Sequence, residues 1–256
     1  MQRPDEAERL ASEVLKASRG NIPAAQVLGR ALLMQNKIAE AIVPLEKAAR
    51  RSEDPAIETL LASALASAGR SGEAIAQLRL AIARRPPYPP AFAELGGQLS
   101  RLGRIEESIA AFEGGLALAP GVTDLLMGLG YLHLKINDRA RARALFLQAQ
   151  ATEPRRLDIL GALASVMALD GEYAAAADLY RRVLGQRPDD ALMHYYLGKC
   201  LLELGDRDAG EAELRAAASS GLQAAAGAIT ALSAAPHGRF FLRPSAVAKF
   251  LRVKPG

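Results

Sequence analysis

The stretch Thr123–Arg156, TDLLMGLGYLHLKINDRARARALFLQAQATEPRR, decides how the chain is read. It holds two short segments with apolar residues at helical spacing. They meet at Asn137, and Pro154 closes the second. Asn tolerates the left-handed backbone that ends a helix, and Pro cannot continue a helical hydrogen-bond ladder. The stretch therefore reads as helix, turn, helix, stop.

The same pattern recurs on both sides. Leu followed by Gly or Ala marks each first helix, at Leu28-Gly29, Leu61-Ala62, Leu95-Gly96, Leu129-Gly130, Leu163-Ala164 and Leu197-Gly198, with one step of 33 residues and four of 34. Each first helix meets Asn36, Gly69, Gly103, Asn137, Gly171 or Gly205. Only these two residue types fill the six places, which predicts six left-handed turns. Each second helix carries a small residue (Ala41, Ala74, Ser108, Ala142, Ala176, Gly210). A large one follows four positions on (Leu45, Leu78, Phe112, Phe146, Tyr180, Leu214), then Ala48, Ala81, Gly115, Ala149, Val183 or Ala217. These offsets place all three on one helix face, where the small residue permits close approach and the large one fills the gap. Pro86, Pro120, Pro154 and Pro188 end their helices at steps of 34 residues.

Composition agrees. Half of the 256 residues are apolar, mostly Ala and Leu, with no Trp. Those two residues favour helix over strand. The single cysteine, Cys200, leaves no intramolecular disulfide framework. The N-terminus, MQRPDEAERL, has no apolar signal core, and no apolar run reaches bilayer length. The expectation is a soluble, cytoplasmic protein. The net charge is +4, but Arg239, Arg243, Lys249, Arg252 and Lys254 stand beyond the last carboxylate, Glu213, so residues 1–238 are near neutral.

The motif set, Leu-Gly, then Ala, then an aromatic, then Pro over 34 residues, resembles the tetratricopeptide repeat (TPR) family from about residue 22 to 222. The family's Trp position holds Ala25, Glu58, Phe92, Leu126, Leu160 and His194. Its first-helix Tyr is replaced by Leu32, Leu65, Leu99, His133, Met167 and Leu201. The resemblance implies an all-α fold, a right-handed α-solenoid superhelix of tandem helix-turn-helix repeats. The expected divisions are a half-repeat helix at 1–21, a six-repeat array at 22–222, a capping helix at 223–236 and a basic, aromatic tail at 237–256.

The resemblance also implies a peptide-binding groove along the inner faces of the first helices. Carried over, its positions are Gln26 and Arg30, Thr59 and Ser63, Ala93 and Gly97, Met127 and Tyr131, Gly161 and Ser165, then Tyr195 and Lys199. Members that clamp a peptide carboxylate use a Lys and Asn set here. With only Arg30 and Lys199 basic, that clamp is absent, and Met127, Tyr131 and Tyr195 would make apolar contacts. In the tail, Phe240, Phe241 and Phe250 with Arg243 and Arg252 are candidate contact residues, for packing on the array, for a partner or the protein's own groove or, as the lesser reading, for a membrane or nucleic-acid surface.

No catalytic constellation stands out. The three histidines are isolated, Cys200 has no base on its helix face, and no phosphate-binding glycine motif occurs. The sequence thus points to a non-enzymatic protein-interaction module or scaffold, with a protein or peptide partner, no small-molecule substrate, no cofactor and no metal. The array has no basic stripe, which counts against nucleic acid. A second reading is an accessory or regulatory subunit of an enzyme system, such as a transferase on a separate chain. The resemblance suggests it, because such arrays often precede glycosyl- or sulfotransferase domains and only about 34 residues follow this one.

Overall fold

A computed structural model describes residues 3–219, 226–228 and 230–232. The fold is all-α, with no strand among the described residues. A lone helix α1 (Pro4–Ala17) is followed by six helix pairs: α2 (Ile22–Met34) and α3 (Ile38–Ala49), α4 (Pro55–Ser67) and α5 (Ser71–Ala83), α6 (Pro89–Arg101) and α7 (Ile105–Leu118), α8 (Thr123–Lys135) and α9 (Arg139–Thr152), α10 (Leu157–Leu169) and α11 (Tyr173–Leu184), α12 (Ala191–Glu203) and α13 (Arg207–Ala218). These are the tandem helix-turn-helix repeats of an α-solenoid. They pack as two compact units, Met1–Leu132 and His133–Gly256.

Local chemistry sets the helix ends. Asn21, Asp54 and Asp190 cap α2, α4 and α12 by accepting a backbone N–H from the first turn. Each such cap contributes about 1 kcal/mol. All six inter-helix turns are left-handed, with φ of 60° at Asn36, 62° at Asn137 and 74° to 83° at Gly69, Gly103, Gly171 and Gly205. The residue-type pattern alone foresaw these six.

Packing then follows the predicted rows. In the first unit Ala41, Leu45, Ala74 and Leu78 are fully buried, and in the second Ala176, Tyr180 and Leu214 are as well. Burying a Leu or larger side chain contributes about 1.5–3 kcal/mol. Successive helices pack on one another within each unit, and first helices also touch the next first helix, α2 on α4 and α4 on α6, then α10 on α12. Ion pairs tie neighbouring second helices. The half-buried Lys37 and Glu8 meet at 2.8 Å and the exposed Arg79 and Glu107 at 3.1 Å in the first unit, while Arg143 meets Glu172 at 2.5 Å in the second. Being at least partly exposed, each adds little.

Residues 226–228 and 230–232 are helical and bury Ala228, Ala231 and Leu232. The expected tail contacts Phe240, Phe241, Phe250, Arg243 and Arg252 lie outside the described residues.

Candidate functional site

The first-helix faces carry the expected groove residues, taken unit by unit. In the first unit Gln26 and Arg30 lie on α2, Thr59 and Ser63 on α4, Met127 and Tyr131 on α8. Thr59 is already committed, because its hydroxyl donates to the Pro55 carbonyl at 2.6 Å. Arg30 is exposed, and Tyr131 is 49 % exposed. Met127 is a correction. It is only 5 % exposed, so it belongs to the core and not to a partner-facing surface. Its counterparts Gln26, Thr59 and Ala93 are themselves half-buried. A flexible apolar thioether in such a border row gains by turning inward.

In the second unit Ser165 lies on α10, and Tyr195 and Lys199 on α12. The Ser165 hydroxyl donates to the Gly161 carbonyl at 2.9 Å. With that proton used, the Tyr180 hydroxyl donates to Ser165 Oγ at 3.1 Å. Burial pushes the Tyr180 phenol above its ordinary pKa, although the Ser165 bond acts the other way, so it stays un-ionised. Tyr196 stacks on Tyr180 at 5.7 Å between centroids, and Tyr195 meets Tyr196 edge-on at 5.3 Å. The exposed Lys199 ammonium lies 5.7 Å from the centre of the Tyr195 ring. The result is a short aromatic ladder running from the core to the surface, ended by a cation. Tyr195 is half-buried, and a Cβ at Gly227 would sit 3.5 Å from its ring. One edge of the ring is therefore covered by the helical residues that follow the array.

Two polar residues at the Trp position of the motif have partners that the sequence did not disclose. Glu58 is 2 % exposed, and Arg84 holds it at 2.8 Å. His194 Nδ1 lies 2.5 Å from Glu213 Oε2, and Nε2 lies 2.8 Å from the Pro188 carbonyl. Two acceptors at both ring nitrogens are satisfied only by the doubly protonated imidazolium. Burial opposes the charge, but the Glu213 carboxylate and the Pro188 carbonyl outweigh it and raise the pKa above its ordinary value. A raised folded-state pKa gives stability that is complete below the unfolded value of about 6.5 and is lost as pH rises through the folded value. The wild type should therefore lose melting temperature relative to His194→Phe as pH climbs from about 6 upward. A constant difference between the two across that range would refute the imidazolium.

Cys200 is 2 % exposed, and burial raises its thiol pKa from 9.0 to about 11 although Lys199 acts the other way. A rise of that size leaves about a hundredfold less thiolate, before access is counted. Native protein should react with a disulfide reagent at least about a hundredfold slower than unfolded protein. Equal rates would place Cys200 at the surface. Buried His133 has its Nδ1 3.3 Å from Asp138 Oδ2, close enough for an ion pair but without hydrogen-bond alignment. Among the described residues no cluster of three or more His, Cys, Asp or Glu could hold a metal ion, and no helix is long and apolar enough to cross a membrane.

Two models of the tetratricopeptide repeat match the sequence, one over residues 94–158 and 127–191, the other over 1–64 and 167–234. The chain belongs to the tetratricopeptide repeat family. TPR arrays are scaffolds for protein–protein interaction, and this chain is one. Solved structures agree in fold. The APC/C heterotetramer Cut9–Hcn1 superposes with a TM-score of 0.75 at 19 % identity, over 90 % of this chain and 46 % of the other, so this chain spans about half the length of that relative. Pseudomonas aeruginosa PilF gives 0.66 at 20 % identity over 82 % and 90 % of the two chains. TTC0263, a TPR protein of Thermus thermophilus, gives 0.60 at 22 % over 71 % and 99 %. At these identities the likeness concerns the fold alone. Against curated proteins the sequence finds no match.

Proposed function

We infer that the scaffold takes a peptide or an extended partner segment along its first-helix faces, by apolar and aromatic contact more than by charge. The observation that carries this reading is the α12 face. There a half-buried Tyr195, held edge-on by Tyr196, presents a ring beside the exposed Lys199 ammonium. A ring already fixed by its neighbours loses little freedom on binding, which favours it as an anchor. Lys199 beside it suits an anionic group near the anchor. In the first unit Tyr131 offers a comparable exposed ring. Thr59 and Ser165 contribute no free donor, because their hydroxyls are spent on their own helices.

The test is affinity capture from the native host with the full chain and with the double variant Tyr131→Ala, Tyr195→Ala, after circular dichroism has shown equal helix content. Loss of the captured partners supports the groove. Equal recovery removes it and leaves the interaction to another surface of the scaffold.

A further inference from the structure

Between α1, α2 and α3 lies a cavity of about 630 Å³, walled by residues of all three helices. Ala25, Leu28 and Leu32 of α2 form its apolar floor, flanked by Leu15 of α1 and Pro44 of α3. A space of this size and lining falls in the range of small-molecule sites. The cavity owes its room to one small residue. Ala25 stands at the position that Phe92, Leu126 and Leu160 fill in other repeats. The burial of the nearby motif leucine reflects this. Leu28 is half-buried, whereas Leu61, Leu95, Leu129, Leu163 and Leu197 are each 4 % exposed or less.

The charges lining the cavity are divided between its ends. Glu8 and Glu40 stand toward the N-terminal ends of α1 and α3, and Glu8 is already held by Gln35 at 2.7 Å and Lys37 at 2.8 Å. Lys47 lies in the last turn of α3, Arg51 just beyond that helix and Arg19 just beyond α1. These three cations have no ion-pair partner among the described residues. Arg51 leans over the loop between α1 and α2, with Nη1 3.5 Å from the Arg19 carbonyl.

The next repeat shows what such an arginine holds. Arg84 is the counterpart of Arg51 and Glu58 the counterpart of Ala25, with the same spacing of 26 residues in both repeats. There the guanidinium donates to the Glu58 carboxylate from two nitrogens, at 2.8 and 3.2 Å, and Glu58 is 2 % exposed. In the first repeat the guanidinium is kept, while alanine and apolar space stand in place of the acid.

We propose that this cavity binds a small amphipathic carboxylate of the medium-chain fatty-acid class. Its carboxylate meets Arg51, beside Lys47 and Arg19, as Glu58 meets Arg84, and its apolar chain lies along Ala25, Leu28 and Leu32. Charge selects the anion, because unpaired cations gather at one end and Glu8 at the other is already satisfied. Volume selects an acid with a chain, because one acidic side chain from a partner would leave most of about 630 Å³ unfilled.

The probe is decanoate, titrated by calorimetry against the full chain below its micellar concentration, with decanol and decylammonium as controls. Decanoate should bind at least about tenfold more tightly than either control and raise the melting temperature of the chain. Arg51→Gln, at an exposed position, should weaken decanoate at least about tenfold and leave decanol unchanged. Ala25→Leu and Ala25→Glu should both abolish decanoate binding. The first fills the space as Leu126 and Leu160 do, and the second supplies the carboxylate from within. Circular dichroism verifies the fold of each variant. The groove variants Tyr131→Ala and Tyr195→Ala should bind decanoate as the wild type does, which separates this cavity from the first-helix groove. No binding, equal binding of the three probes, or binding indifferent to Arg51→Gln overturns the proposal. So does binding that survives both Ala25 substitutions, because the chain then lies elsewhere. Loss of captured partner proteins on Arg51→Gln, in a chain that takes no decanoate, overturns it as well and gives the place to a partner's acidic side chain.

Discussion

Replacing Gly96 with leucine should destabilise the first unit by about 3 kcal/mol, while Gly97→Ala, one residue on, should cost nothing or stabilise slightly. At Gly96 a Cβ alone would lie 2.5 to 2.7 Å from three carbons of the Phe112 ring. That ring is 4 % exposed and is also packed closely over Gly128, where a Cβ would collide with it as well. A Cβ at Gly97 would meet nothing nearer than the flexible end of Arg101, at 3.8 Å. The two glycines share a helix and a composition context, so intrinsic helix propensity treats them alike. Urea denaturation followed by circular dichroism measures both. Phe112→Ala combined with Gly96→Leu should recover part of the loss by vacating the contested volume, a positive coupling in a double-mutant cycle. Equal effects at the two glycines would disprove the pairing of Gly96 with Phe112.

Tyr180→Ala should be the most damaging truncation in the second unit, costing about 3–5 kcal/mol, whereas Tyr180→Phe should cost only about 1 kcal/mol. Tyr180 is fully buried, stacks on Tyr196 and reaches Ser165 through its hydroxyl. Its ring packs among Ala164, Ala176, Leu197 and Leu201, small or already well-packed neighbours that cannot refill the space. The phenylalanine variant keeps the ring and loses one hydrogen bond. Hydrogen exchange should show the alanine variant opening around α10 to α12, with α2 to α5 protected as before, since repeat arrays lose stability locally. Similar costs for the two variants would shift the main contribution from ring packing to the hydroxyl.

How much was legible in the sequence depended on how few residue types a position tolerates. A left-handed turn accepts little besides Gly and Asn, so all six turns could be read without coordinates. The inward row accepts one small and one large apolar residue, so Tyr180 and Leu45 were legible as packing residues. Met127 was not, because a half-buried border row accepts residues pointing either way, and a flexible apolar chain settles inward. The partners of Glu58 and His194 were hidden for another reason. Arg84 lies 26 residues and Glu213 19 residues along the chain, and no periodic signal links such polar pairs across a turn. The α12 aromatic ladder was half legible. Tyr195 and Lys199 stood at groove positions, but the stacking of Tyr196 on Tyr180 needed the helix pair to be assembled.

Four polar groups buried or half-buried in this array share one property. Glu58 reaches Arg84, Ser108 reaches the Gly96 carbonyl, Ser165 reaches Tyr180 and His194 reaches Glu213. Each of these contacts closes inside a single helix pair, His194 adding the Pro188 carbonyl just ahead of its own helix, while ion pairs such as those of Arg79 with Glu107 and Arg143 with Glu172 link neighbouring pairs. A pair duplicated or excised in register would therefore carry each of these four contacts with it. Losing or gaining a 34-residue module would cost chiefly the apolar area and the ion pairs it shares with its neighbours, and not these four internal contacts.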